Sequence, residues 1–177
     1  MNIGIIGAGN IGGTLARRLS ALGHRIRISN SRGPASLSKL AEDTGATAVP
    51  AVDAVRQVDL VVIAIPEKEV ANLPADLFAD APEGLVVVDT GNYYPRERDG
   101  LIAPIEGGMA ESVWVEQRIG WPVVKAFNTL PAAYLMDFGR PSGAAGRIAI
   151  PVAGDGAESK AVVMKLVDNL SSRHLHW

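Results

Sequence analysis

The sequence holds 177 residues, of which 47% are hydrophobic and 20% charged; that length fits one domain with a single sizeable core and excludes disordered, coiled-coil and collagen-like chains. Seventeen Lys and Arg against nineteen Asp and Glu give a net charge of −2 with no dense basic run, so nucleic acid is set aside as a partner. No cysteine is present, which excludes disulfides, thiolate zinc sites and cysteine nucleophiles.

The opening run Met1-Asn2-Ile3-Gly4-Ile5-Ile6-Gly7 lacks the basic start, long apolar stretch and cleavage site of a signal peptide. The longest apolar runs, 60–66 and 85–88, are too short to cross a bilayer. The expectation is a soluble, cytoplasmic protein with no membrane partner.

In chain order, 3–6 is a short aliphatic run ending at glycines, the pattern of a strand buried on both faces. Residues 10–22 carry Ile11, Leu15, Leu19 and Leu22 at helical spacing, and Gly23 supplies a stop. A second strand is expected over 25–29 and a second helix over 34–43, with Pro34 in its first turn. Two further buried strands, 59–65 and 84–89, flank a helix over about 68–78. A strand over 122–127 and a final pair, strand 147–153 and helix 157–170, complete the series. Alternating strands and helices with short joints predict a doubly wound, parallel α/β sheet of Rossmann type with helices on both faces, spanning 1–170 as one domain, followed by a short tail, 171–177. The one long irregular stretch, 90–108, follows a strand, so it is expected at the carboxyl edge of the sheet, where ligands bind.

Gly7-Ala8-Gly9-Asn10-Ile11-Gly12 has the pattern G-x-G-x-x-G between a strand and a helix, the context in which it binds a dinucleotide. Gly7 permits the tight turn, Gly9 lets backbone approach a pyrophosphate, and Gly12 lets the helix pack against the strand. The free N–H groups of the helix start then face the phosphates. NAD readers place an acid at the end of the second strand to hold the ribose 2′-hydroxyl. Here that place is Ser29-Asn30-Ser31-Arg32, and no acid appears until Glu42. Hydroxyls and a guanidinium suit a 2′-phosphate, so the expected cofactor is NADP(H).

The glycine loop, Ser29-Asn30-Ser31-Arg32-Gly33-Pro34 and Val124-Lys125-Ala126-Phe127-Asn128-Thr129-Leu130 together resemble the NADPH-dependent reductases of the deazaflavin coenzyme F420, a family similar also to the cytoplasmic domain of the STEAP metalloreductases. The resemblance runs from Met1 to about Leu170. It implies NADPH across the sheet edge, with phosphate binding at Gly9, Asn10 and Ile11 and 2′-phosphate binding at Ser31 and Arg32. It also implies Ile65 and Pro66 bordering the ribose and nicotinamide, Ala126 beside the nicotinamide, and, more weakly, a part for Asn92. The acceptor it implies is F420 or a flavin such as FMN, a small-molecule redox partner, and it allows a homodimer. The sequence departs from the family after the last helix. Members continue into another strand and a covering segment, whereas seven residues follow Leu170 here, and an incomplete acceptor side is the expectation.

Other chemistry is thin. His174 and His176 have chelating spacing but no third ligand, so no metal is expected. His24 is expected to be structural, Asp89 to cap a loop, and Lys125 to have no catalytic part. Residues 109–120, with Val113, Trp114 and Val115, are expected to pack on the sheet. No G-x-S-x-G elbow supports hydrolysis. Hydride transfer between stacked rings needs orientation more than acid–base groups, so no catalytic side chain is assigned. Reduction of a carbonyl, with Tyr93 or Tyr94 as proton donor, stands second. A non-catalytic NADPH-binding module is the alternative of another class.

Overall fold

The aliphatic run at the start of the chain forms β1 (Asn2–Ile6). It lies inside a seven-stranded sheet in a computed structural model that describes residues 1–171 except 138 and 142; His174, His176 and the tail 172–177 lie outside the described residues. The strand order is β3-β2-β1-β4-β5-β6-β7. Here β2 is Arg25–Ser29, β3 Thr47–Ala48, β4 Leu60–Ile63, β5 Val86–Asp89, β6 Val123–Ala126 and β7 Val152–Ala153. β1 pairs in parallel with β2 on one side and β4 on the other, so Ile5 stands between Ile28 and Val62. The chain's winding reverses at that point, which opens a crevice at the carboxyl ends of β1 and β4.

Every residue of β4 and β5 is buried, because helices cover both faces of the sheet. Ile3, Ile5, Leu60, Val62 and Val88 meet Leu15 and Leu19 of α1 (Asn10–Ala21) and Val163 and Leu166 of α8 (Ala157–Ser171). The alternate residues Ile6, Val61, Ile63 and Val87 point the other way, onto Ala54 of α3 (Ala51–Ala54) and Trp114 and Val115 of α6 (Glu111–Ile119). That alternation is the two-residue period of a strand. Arg18, buried on α1, donates to the carbonyls of Met136, at 3.2 Å, and Leu170. It thereby ties α1 to α7 (Ala132–Asp137) and to the end of α8.

The sheet is not wholly parallel. β7 runs antiparallel to β6 through Lys125–Ala153 and Ala126–Val152, and the strand expected over 147–153 shrinks to two residues. Pro151 precedes it without an N–H to give the ladder. The helix expected over 68–78 is a single turn, α4 (Glu67–Val70). Pro74 removes a donor and turns the backbone before it away from helix, and the chain continues in turns that bury Leu77 and Phe78, the latter stacked on Trp121 at 6.1 Å. The expected helix 34–43 begins as a tight turn, Pro34–Leu37, and becomes α2 (Ser38–Thr44). Residues 109–120 pack on the sheet through the buried Trp114, Val115 and Ile119, whereas Val113, also expected there, is exposed.

Gly7 and Gly12 set how closely α1 seats on the sheet. A Cβ on Gly12 would lie 1.9 Å from the Gly7 carbonyl oxygen, and one on Gly7, whose φ is +104°, would lie 2.2 Å from the Ala64 oxygen. Gly9 is different: a Cβ there would meet nothing within 4 Å. Gly12→Ala is therefore expected to lower the melting temperature by roughly 5 °C or more, while Gly9→Ala leaves it within about 2 °C. Thermal unfolding of the two variants side by side checks this; equal stability would count against the close seating of the helix.

Candidate functional site

The crevice at the carboxyl edge is a cavity of about 650 Å³. Gly9, Asn10 and Ile11 form one wall, and Ala64, Ile65 and Pro66, where the chain leaves β4, form its floor. The loop after β5 brings Thr90, Gly91, Asn92, Tyr94 and Arg98, and residues 128–132 after β6 close the far side. Gly9 caps α1 without a side-chain hydrogen bond, and no acidic residue lies in the first turn. The first N–H groups of α1 have no intrahelical acceptor and sit at the positive end of the helix dipole.

The residues expected from the sequence fall into three groups. Gly9, Asn10, Ile11, Ile65 and Pro66 meet in the cavity wall. Gly7, Ala8 and Gly12 lie behind them in the turn, where Gly7 N–H donates to the Ser29 carbonyl at 2.9 Å. Asn30, Ser31 and Arg32 stand beyond the cavity wall, at the carboxyl end of the adjacent β2. Asn30 organises that turn. Its Oδ1 accepts the Arg32 N–H at 3.0 Å, and its amide donates to Ser36 Oγ at 2.9 Å. Ser31 and Arg32 are exposed, and among the described residues the Arg32 guanidinium has no carboxylate partner.

Ala126 is placed differently from the expectation. It is fully buried and does not reach the cavity wall, which Asn128 and Thr129 occupy instead. Phe127 between them is buried with φ +66°, an uncommon conformation for a bulky residue, and it turns the chain from the strand into the wall. Asn92, the weaker expectation, is in the wall and clasps its opposite side: its amide donates to the Asn128 carbonyl at 2.7 Å, and Asn128 Nδ2 donates to Asn92 Oδ1 at 3.3 Å.

The coenzyme F420-dependent NADP oxidoreductases match this chain over residues 2–93, slightly more than half of it. The chain belongs to that family. The family is one of NADP-dependent oxidoreductases. Among solved structures it is similar to a hypothetical protein of Sinorhizobium meliloti, 33% identical over 97% of this chain and 82% of that one, with a TM-score of 0.77. A protein of Arthrobacter sp. described as an F420-dependent NADP reductase is 25% identical, over 96% of this chain and 80% of that one, with a TM-score of 0.76. The erythronate-4-phosphate dehydrogenase of Salinibacter ruber is 38% identical over 107 residues, 57% of this chain. The matched part is 27% of that curated relative. Among the described residues no helix is long and apolar enough to cross a membrane.

The chain carries two charged networks that its sequence does not reveal. Arg98 grips its neighbour Asp99 with Nε on Oδ1 at 3.0 Å and Nη2 on Oδ2 at 2.9 Å, donates also to the Asn92 carbonyl, and lies 5.0 Å over the ring of Tyr94. Burial works against the Asp99 carboxylate, but Arg98 and the N–H groups of Tyr94 and Lys68 hold its pKa below the ordinary value. Tyr93 is otherwise engaged: its hydroxyl donates to Glu106 Oε1 and accepts the Ile102 N–H, both at 2.8 Å.

Behind Gly91 lies the second network. Lys125 Nζ reaches Asp89 Oδ2 at 2.8 Å, Glu111 Oε2 at 3.3 Å and Glu67 Oε1 at 3.4 Å. Asp89 also caps the loop, as expected, by accepting the Gly91 N–H at 2.8 Å. Burial opposes the Lys125 ammonium, but the carboxylates of Asp89, Glu67 and Glu111 more than offset that and raise its pKa. The signal for this cluster was one charged residue inside an otherwise apolar strand run; its partners are 36, 14 and 58 residues away.

Glu67 has no solvent exposure, and its Oε2 has no hydrogen-bond partner. Burial and then repulsion from Asp89, opposed by Lys125, push its pKa from 4.5 up to about 7. The native protein thus binds more protons than the unfolded chain between those values, and this group's contribution to stability is lost as pH rises from about 4.5 through 7. Glu67→Gln removes that dependence. Relative to the parent, the variant is expected to gain melting temperature between about pH 5 and pH 8, and a difference that stays constant across that range would refute the raised pKa.

Proposed function

We propose that this oxidoreductase binds NADPH across the carboxyl edge of its sheet and passes the hydride to a planar deazaflavin or flavin. The observation that carries the reading is the uncapped start of α1 in the wall of a cavity lined by no carboxylate. Such a surface favours a pyrophosphate over any neutral or cationic group.

The N–H groups at Asn10 and Ile11 would hold the pyrophosphate, with Gly9 giving it room. Ser31 and Arg32 would hold the 2′-phosphate on a turn already ordered by Asn30 and Ser36. A guanidinium with no competing carboxylate is free for that contact, and an acid in its place would repel it. Ile65 and Pro66 would pack on the nicotinamide side. The place that the resemblance gave to Ala126 goes to Asn128 and Thr129, which are in the wall where Ala126 is not. When bound, NADPH supplies a hydride, both electrons of its C–H bond moving into a new bond on the acceptor ring while a proton from water completes the reduction. The chain's part is to hold two rings in contact and keep them oriented, which requires no side chain to change its protonation state.

Oxidation of NADPH by the purified protein, followed by absorbance with F420, FMN and riboflavin in parallel, tests the reading. Turnover with one of them and little with NADH is the expected result. Arg32→Ala is expected to weaken NADPH binding about tenfold or more while leaving NADH binding unchanged. Saturable NADPH binding without turnover on any acceptor would favour a binding module, and an Arg32→Ala protein that still preferred NADPH would remove the 2′-phosphate assignment.

A further inference from the structure

Among the described residues, Arg98 is the single charged side chain in the cavity wall. On the cofactor reading above, which this inference rests on, the dinucleotide's charges already have partners: the pyrophosphate at the start of α1 and the 2′-phosphate at Arg32. The nicotinamide ring brings no negative charge for Arg98 to pair with, since it is neutral when reduced and positively charged when oxidised. With Arg32 as its partner the adenosine end would lie over β2, whereas Arg98 comes from the loop after β5, past β4 on the opposite side of the crevice.

The guanidinium is held ready. Nε and one Nη2 hydrogen are taken by Asp99, and Nη2 also donates to the Asn92 carbonyl. Asp99 is itself fixed, buried and accepting the Tyr94 N–H at 2.8 Å. The Tyr94 ring lies 5.0 Å from the guanidinium carbon. Among the described residues no acceptor takes either hydrogen of Nη1, on a side chain 37% exposed at the cavity. A side chain whose orientation is already fixed loses little freedom when it binds. We propose that Arg98 is a specificity-determining residue for the acceptor, its Nη1 hydrogens binding an anionic oxygen, of phosphate or carboxylate type, carried by a planar flavin-like ring. Asp99 neutralises part of the charge, so the contact discriminates between acceptors without trapping the product, and it weakens as salt is added.

FMN and riboflavin share a ring and differ by one phosphate, so the pair isolates the charge. Their binding to the protein saturated with NADP⁺, read by quenching of flavin fluorescence, is compared in the parent, Arg98→Gln and Arg98→Lys, with NADPH binding titrated separately. The parent is expected to bind FMN about tenfold more tightly than riboflavin, and less so at high salt. Arg98→Gln is expected to abolish the preference by weakening FMN alone, with riboflavin and NADPH within about twofold of the parent. Arg98→Lys keeps the charge and should keep part of the preference. A parent without preference for FMN overturns the inference, as does equal weakening of both flavins, which would make Arg98 a prop for its loop. Weakened NADPH with unchanged flavins would assign Arg98 to the dinucleotide instead. Failure of the cofactor reading is separate: it shows in the nucleotide titration of the parent, where no saturable NADPH binding would overturn both.

Discussion

The seating of α1 on the sheet is the constraint on which the rest of the molecule depends. Where the Gly12 side chain would be, the Gly7 carbonyl oxygen already stands, and where the Gly7 side chain would be, the Ala64 oxygen does. Two backbones and a helix axis therefore meet at separations that no Cβ allows. The effect is directional. The helix start is brought to the end of β1, between β2 and β4, so its unpaired N–H groups open into the crevice rather than onto the flank of the sheet. Leu15 and Leu19 then lock the far end of the helix into the core, and Arg18 fastens it to α7 and α8.

Charge is distributed about the cavity with the same economy. Among the described residues the wall holds one cation and no anion, while four acids, Glu67, Asp89, Glu111 and Asp99, lie behind it or beside it. Lys125 and Arg98 take up most of that negative charge. The separation is thin: a Cβ on Gly91, which lines the cavity, would come within 2.7 Å of Glu67 Oε1. An ionised Glu67 so close to the wall would disfavour an anionic ligand, and three carboxylates around one ammonium cannot all be charged cheaply. Burial resolves both by favouring the neutral acid. The cluster also joins α4, β5, β6 and α6 at one point, so the loop that carries Asn92, Tyr94 and Arg98 starts from a fixed base.

Much of this was legible in the sequence, and the limits have physical causes. β1, α1 and β2 were readable because each is long enough to show its period and is closed by a glycine or a polar turn. The glycine loop was readable as a site because its spacing encodes backbone contacts, which are local. Elements of two to four residues, such as β3 and α3, show no period at all. Pro74 and Pro151 were visible, but apolar spacing around them outweighed the missing donors in the reading, and the helix and the strand came out too long. The place of Ala126 beside the nicotinamide came from the resemblance of its motif; the positive φ of Phe127, which turns the next residues into the wall, leaves no mark in a sequence. Lys125 was seen as a lone charge because its three partners are brought to it by the sheet and by α4 and α6. Arg98 had no motif, and its importance comes from what the other walls lack.

The placement of the tyrosines bears on which acceptor chemistry the cavity suits. Carbonyl reduction calls for a proton donor held against the substrate in a site closed to water. Tyr93 cannot serve, since its hydroxyl lies between Glu106 and the Ile102 N–H, away from the cavity wall. Tyr94 lines the cavity but is 45% exposed, with its ring face given to Arg98, which is not the closed setting that such a donor needs. Asn92 and Asn128 are occupied with each other, and the Thr90 hydroxyl donates to the Ile63 carbonyl. Among the described residues the wall offers amides, threonine hydroxyls, aliphatic side chains, an aromatic ring and one guanidinium. A ring that takes up a hydride, delocalises the added electron pair and collects its proton from water asks for no more than that.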